Sequence, residues 1–306
     1  MPAINTDNRN KYALITGATS GIGYEIARLF AKDSYNLVLV ARDQQRLQEV
    51  TDQLKQAFAI EVTPLSKDLF NPAAAREIYE EVNKMGITID ALVNDAGQGE
   101  WGPFIESPLE RDLDIIQLNI ASLLSLTKYF LKDMVARNEG KILQLGSEAG
   151  TTPIPLLAVY AATKAFVLSF SAALVNELKD TNITITALLP GATDTDFFHK
   201  AGQEDTVGYR EKGLASPEEV ALDGYTALMN GESKVISGAK TKMHVFMNDL
   251  LGAGISAANN RRLMEPSTKE TGKEIPSHEA SLQEREKISS ETGKRDGDKK
   301  PQKTTL

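Results

Sequence analysis

Cysteine is absent from all 306 residues, which excludes disulfides and thiolate metal sites. Histidine is scarce: His199, His244 and His278 stand far apart and form no ligand pattern, so no metal site is expected. Basic residues are outnumbered, 34 Lys and Arg against 42 Asp and Glu, and the net charge of −8 argues against a nucleic-acid surface. The N-terminal MPAINTDNRNK lacks an apolar signal core, and the reading finds no run of about 20 apolar residues. No integral membrane segment is therefore expected, and the simplest expectation is a soluble cytoplasmic protein.

What the chain has is a regular alternation of apolar runs and amphipathic stretches. Strands are predicted near 12–16, 36–41, 60–65, 89–94, 140–146 and 182–189, and helices over 21–33, 43–58, 72–85, 109–137 and 157–180. That alternation implies an α/β fold, a doubly wound parallel sheet with helices on both faces. Ligands in such sheets sit beyond the carboxyl ends of the strands. Gly17, Arg42, Asp68, Asn94, Ser147 and Pro190 each fall at or just after a predicted strand end.

The first strand-to-helix turn reads Thr16-Gly-Ala-Thr-Ser-Gly-Ile-Gly23, between the strand YALIT and the helix IGYEIARLFAK. This is the context a dinucleotide-binding loop needs. Gly17 permits the tight turn, Gly21 lets the backbone approach a pyrophosphate, and Gly23 lets helix and strand pack closely. Thr19, Ser20 and Ile22 complete the candidate contacts, and the helix N-terminus offers N–H donors to an anion.

Tyr160-Ala-Ala-Thr-Lys164 lies on a predicted helix, thirteen residues after Ser147. The four-residue step puts tyrosine and lysine on one face, one turn apart. A lysine cation beside a phenol favours the phenolate, so Lys164 is expected to lower the Tyr160 pKa from its usual ~10. Alone, the pair also fits an ordinary helix with a solvated lysine.

It is not alone. With Asn94-Asp-Ala-Gly97, Asn119 in LQLNIASLLSLT, Ser147 in LQLGSEAG and Pro190-Gly191, these motifs resemble the short-chain dehydrogenase/reductase family over residues 10–240. The matching branch has Gly-x-x-x-Gly-x-Gly in the first turn. The resemblance implies a nicotinamide-dependent oxidoreductase with a catalytic set of Asn119, Ser147, Tyr160 and Lys164. In it, Tyr160 is the general acid/base, Ser147 hydrogen-bonds the substrate oxygen, Lys164 holds the nicotinamide ribose, and Asn119 positions a water that relays protons to Lys164. Asn94, Ala96, Gly97, Asp68, Leu69, Pro190, Gly191 and Thr193 complete the implied cofactor contacts. The chain departs from the family at Asp95, where asparagine is usual, and no role follows for it.

Cofactor preference is read at the end of the second strand. NAD-specific relatives of such folds place an acid there for the ribose hydroxyls. Ala41-Arg42 stands there instead, and Arg42 can pair with a 2′-phosphate. NADP(H) is thus favoured over NAD(H), while Asp43 begins the next helix. The expected partner is a small carbonyl or alcohol substrate. The alternatives are a non-catalytic NADP(H) sensor or scaffold, and an epimerase or dehydratase on the same fold.

The expected organisation is a flexible N-terminus over 1–10, a Rossmann-type catalytic domain over 11–240, a helical extension over 241–264 and a disordered polar tail over 265–306. Helices 109–137 and 157–180 are apolar nearly all round, which points to a homodimer or homotetramer, or else to cover by the C-terminal segment. The long connection 192–213 carries Phe197, Phe198 and Tyr209, which can line an apolar pocket or simply pack the loop down. Ser216, Pro217 and Glu219 mark the next helix start. Gly252 and Gly254 are expected to interrupt the extension, which can pack on the domain, join an oligomer contact or lie on a membrane surface.

Overall fold

The computed structural model describes residues 8–211 and 213–267. The first three strands are β1 (Tyr12–Thr16), β2 (Asn36–Ala41) and β3 (Val62–Ser66). Between them run α1 (Gly21–Lys32) and α2 (Gln44–Phe58). The chain continues through α3 (Ala74–Lys84), β4 (Ile89–Asn94) and α4 (Leu109–Ile116). A π-helical segment (Gln117–Ser122) then leads into α5 (Leu123–Arg137) and β5 (Gly140–Leu145). After β5 come a 3₁₀ turn (Glu148–Thr151), α6 (Ala158–Glu177) and β6 (Ile183–Leu189). The remainder is α7 (Phe197–Ala201), α8 (Val207–Glu211), α9 (Pro217–Met229), β7 (Lys234–Ile236) and α10 (Ala239–Met264).

The seven strands form one parallel sheet in the order β3-β2-β1-β4-β5-β6-β7. The order reverses beside β1, which opens a crevice at the strand ends between β1 and β4. Both sheet faces are covered, so successive strand residues enter opposite cores. Ala13, Ile15, Leu37 and Leu39 pack with α1, α2 and α9, whereas Leu14, Val38, Leu92 and Ile142 pack with α3 and α5. Phe30 anchors the first core, edge-on to Tyr35 and Tyr225 at 5.1 and 4.9 Å between ring centres. Burying such a ring stabilises the fold by about 1.5–3 kcal/mol.

Local chemistry sets the helix ends. The Asp43 side chain caps α2 by accepting from the Arg46 N–H at 2.9 Å, which explains an acid directly after Arg42. Ser216 caps α9 in the same way, accepting from the Glu219 N–H at 3.1 Å with Pro217 in the first turn. Gly252 (φ 73°) breaks α10, while Gly254 does not take a left-handed conformation.

Several expectations change. β7 is only three residues long, too short to leave a periodic signal. The single helix expected over 109–137 is interrupted by the π segment, and the 192–213 connection contains α7 and α8. With 20 residues and a mean hydropathy of 1.6, α6 is long and apolar enough to cross a membrane, a run the sequence reading did not allow for. In this fold it is the helix that carries Tyr160 and Lys164, and it packs on β6 and the 3₁₀ turn.

Of the expected flexible N-terminus, residues 1–7 lie outside the described residues. Asn8 is buried, and its side chain donates to the Asp33 carbonyl at 3.0 Å. At the other end, Glu265–Ser267 fall in the expected tail yet bridge to the 205–207 backbone. The Glu265 carbonyl accepts from the Val207 N–H at 3.0 Å, and the Ser267 N–H donates to the Asp205 carbonyl at 2.7 Å. Residues 268–306 lie outside the described residues.

Candidate active site

The glycine turn follows β1. Gly17 (φ 73°) and Gly21 (φ 57°) both adopt left-handed backbone, which a side chain would strain. Space excludes one as well. A Cβ on Gly21 would meet Thr195 Cγ2 at 2.9 Å, and one on Gly23 would strike Asp95 Oδ2 at 2.5 Å. Ser20 precedes α1 but makes no side-chain cap, so the start of the helix remains available to an anion.

Asp95 lies beneath this turn. Its Oδ2 lies close against Gly23, while its Oδ1 is buried without a hydrogen-bond partner. Burial pushes its pKa up to about 7, against the pull of the Lys164 charge and of the nearby Gly23 N–H. The Asp95 and Ala96 N–H groups both donate to Thr16 Oγ1 at 3.1 Å, which ties the end of β4 to the end of β1.

On α6, Tyr160 lines the same cavity wall as Ser147, which sits just beyond β5. The Ser147 hydroxyl also accepts from the Ala149 N–H at 3.1 Å. The expected lowering of the tyrosine pKa is corrected here. Burial dominates and pushes Tyr160 up to about 12; the nearby Ser147 hydroxyl works against this, and the Asp95 and Glu148 charges add to it. Lys164 is buried, donates to the Leu145 carbonyl at 2.7 Å and lies 5.6 Å from the centre of the Tyr160 ring. Burial pushes it down to about 8, opposed by the Asp95 charge.

Asn119 stands in the π segment, an irregularity frequent at functional sites. Its Oδ1 accepts from the Gln98 N–H at 3.0 Å, and its Nδ2 donates to the Gln98 carbonyl at 2.9 Å and to Thr163 Oγ1 at 3.0 Å. The carboxamide thus clamps the loop after β4. A Cβ on Gly97 would lie 3.3 Å from Asn119 Oδ1 and 3.4 Å from Lys164 Nζ, so this glycine lets the loop pass close to both.

A cavity of ≈ 900 Å³ runs along the strand ends, from Arg42 and Asp68 at one end to Phe198 and Met264 at the other. Of the residues singled out in the sequence, Gly17, Thr19, Ser20, Gly21, Ile22, Arg42, Asp68, Leu69, Ala96, Gly97, Ser147, Tyr160, Pro190, Gly191 and Thr193 line it. Gly23, Asn119 and Lys164 stand behind that wall. Asn94 is corrected more firmly: its Nδ2 donates to Thr127 Oγ1 and Gln144 Oε1, both at 3.0 Å, inside the core. Its place at a strand end does not bring its side chain to the cavity.

Arg42 lies over the Phe70 ring at 4.9 Å, with its Nε 3.9 Å from Asp68 Oδ1. The guanidinium is half-exposed and faces the cavity. At the far end Phe197 packs on Tyr160 at 4.9 Å and Phe198 on Tyr209 at 4.9 Å, and all four rings line the cavity. Sequence reasoning missed Glu148 and the α10 side chains Thr241, His244, Leu263 and Met264, which close the same wall. No local pattern announces them, because α10 reaches the site only through the tertiary fold.

Glycine turn, uncapped helix start and strand-end cavity together define a dinucleotide-binding α/β protein. More narrowly, the chain belongs to the short chain dehydrogenase family, whose model matches residues 11–206. It is 36% identical over 189 residues to the very-long-chain 3-oxoacyl-CoA reductase of Rattus norvegicus, a match covering 59% of this chain and 58% of that protein. The chain thus spans little more than half the length of that relative. Among solved structures it is similar to a short-chain dehydrogenase from Sphingobium yanoikuyae in complex with NADPH, at 26% identity, with a TM-score of 0.69 and coverage of 96% and 98% of the two chains. A serine dehydrogenase complexed with NADP⁺ is 31% identical, with a TM-score of 0.65 over 74% of this chain and 93% of that one.

Proposed function

We propose that the chain is an NADP(H)-dependent oxidoreductase that transfers hydride between the nicotinamide and a carbonyl or secondary alcohol. The observation that carries this reading is that Tyr160 and Ser147 stand together on the wall of the cavity that begins at the glycine turn. The residues present fit the cofactor. Gly17 and Gly21 line the cavity at the uncapped start of α1, where N–H groups can meet a pyrophosphate, and Arg42 offers a guanidinium for the 2′-phosphate. When bound, the nicotinamide supplies or accepts the hydride.

Ser147 donates a hydrogen bond to the substrate oxygen and stabilises the charge that develops there. Tyr160 gives that oxygen its proton in reduction and takes it back in oxidation. A tyrosine pushed up to about 12 stays protonated at neutral pH, which suits the donor role in reduction. Lys164 supplies positive charge behind the tyrosine, and Asn119 fixes the loop that borders both. The names of relatives, a 3-oxoacyl-CoA reductase among them, support a ketone as the oxidised substrate. The test is NADPH oxidation against a panel of ketones. Turnover that requires Tyr160 supports the reading, and cofactor binding with no turnover on any carbonyl favours the sensor alternative.

A homodimer or homotetramer is proposed as well. Leu109 and Leu113 of α4, with Leu124 and Val135 of α5, remain exposed. Such a face is commonly covered by another subunit. Light scattering during size-exclusion chromatography tests this, and a monomer at micromolar concentration rejects it.

A further inference from the structure

Glu148 follows Ser147 directly and lines the same cavity as Tyr160. Its backbone is fixed, since its N–H donates to the Pro190 carbonyl at 2.9 Å and its carbonyl accepts from Thr151 Oγ1 at 2.8 Å. Its side chain is fixed from α10: Glu148 Oε2 lies 2.9 Å from His244 Nδ1. The second imidazole nitrogen, Nε2, lies 3.3 Å from Asn248 Nδ2. With Asn248 donating to Nε2, the ring hydrogen sits on Nδ1 and points at the carboxylate. The imidazole then has no nitrogen left for a substrate.

The carboxylate does. Glu148 Oε1 accepts no hydrogen bond among the described residues, and the side chain is 23% exposed within the cavity wall. A Cβ on Gly191 would come within 3.4 Å of Oε1 and 2.5 Å of Thr241 Oγ1, so the glycine lets Thr241 and the carboxylate lie close to the backbone there. The charge is close enough to Tyr160 to act on its phenol. Beside the reacting centre there is thus an oriented acceptor with one lone-pair face unused. The cationic side chains on this part of the wall are Lys200, which pairs with Asp196 at 3.7 Å, and Lys240, which is exposed.

We propose that Glu148, oriented by His244, is a specificity-determining residue that accepts a hydrogen bond from a hydroxyl or amide N–H next to the substrate's reacting carbon. It rejects a carboxylate at that position by like-charge repulsion. This rests on the oxidoreductase reading above. Glu148 is not needed for proton transfer, which Tyr160 performs. His244 is a positioning residue that holds the carboxylate in place.

The experiment compares three ketones of equal length, carrying a hydroxyl, a carboxylate or only hydrogen beside the carbonyl. NADPH oxidation gives kcat and KM for each with the native protein, Glu148→Gln and His244→Phe. The native protein is expected to prefer the hydroxyketone to the oxo-acid, and Glu148→Gln to cut that ratio at least tenfold while leaving the plain ketone within about twofold. His244→Phe should shift the ratio the same way, mainly through KM of the hydroxyketone. Ratios that stay within twofold of native in both variants overturn the proposal. If Glu148→Gln does not fold, Glu148→Asp, which keeps the charge but shortens its reach, must shift the same ratio, and an unchanged ratio overturns the proposal. Native NADPH binding without reduction of any ketone overturns the oxidoreductase reading and this inference together, whereas unchanged ratios in active variants overturn this inference alone.

Discussion

The Asp95 carboxylate sits under the Gly23 N–H, so the turn that opens toward the cavity on one face rests on an acid on the other. An asparagine there would offer the same shape without the charge. The chain therefore keeps a titratable group, pushed up to about 7, between the glycine turn and Lys164.

That burial makes stability depend on pH. An aspartate with a raised folded-state pKa binds its proton more tightly folded than unfolded, so stability falls as pH rises from about 4 to about 7 and is level above. Asp95→Asn removes this penalty. The melting temperature of the cofactor-free variant should exceed native at pH 8, and the gain should be smaller at pH 5 by roughly 5–10 °C, the equivalent of about 2–3 kcal/mol in a domain of this size. Equal shifts at the two pH values would show that Asp95 does not titrate in this range.

Tyr160→Phe keeps the ring and removes the proton donor. Turnover should fall at least about 10²-fold, with NADPH affinity nearly unchanged. Because Tyr160 is held up to about 12, the native reduction rate should show no limb from this residue between pH 6 and 9. A variant with native turnover on a confirmed substrate rejects Tyr160 as the acid.

Arg42→Ala should weaken NADPH by roughly 1.5–3 kcal/mol, the range for a hydrogen bond to a charged group. The loss should fall toward the lower end, because the guanidinium is half-exposed. NADH, which lacks the 2′-phosphate, should change little. Calorimetric titration of both cofactors decides, and equal losses remove Arg42 from cofactor discrimination.

Phe30→Ala opens a hole where three rings meet in the core between α1 and α9. A loss of about 3–5 kcal/mol is expected in denaturant unfolding. A loss below 1 kcal/mol would mean that Tyr35 and Tyr225 collapse into the space.

Ending the chain after Ser267 should leave melting temperature and NADPH affinity near native. Ending it after Met264 removes both backbone bonds from Glu265 and Ser267 to the 205–207 strip, so the melting temperature should drop. Thermal melts of the two truncations separate the cases, and identical curves would show that the bridge contributes nothing.

The alternation of strands and helices and the glycine turn were legible because their signals are local. A strand of five apolar residues followed by Gly17, Gly21 and Gly23 carries its own geometry, and Tyr160 and Lys164 are joined by one helical turn. What stayed hidden depends on distance or burial. Glu148 and His244 are 96 residues apart and meet only because α10 folds back over the 3₁₀ turn. The Tyr160 pKa was misjudged because spacing reveals a neighbouring lysine but not the removal of solvent, and removal of solvent dominates. Asn94 sits at a strand end like its motif partners, yet the alternation of the pleat turns its side chain toward Thr127 and Gln144.

The family match stops at residue 206, whereas α10 begins at Ala239 and supplies Thr241, His244, Leu263 and Met264 to the cavity. The Glu148–His244 pair therefore joins the matched stretch to a helix beyond it. The glycine turn, Ser147 and Tyr160 fall inside the matched stretch, and part of the far wall belongs to one late helix outside it. The cavity thus has two walls of different origin: one built by strand ends and the glycine turn, the other by a helix that crosses back over them from late in the chain.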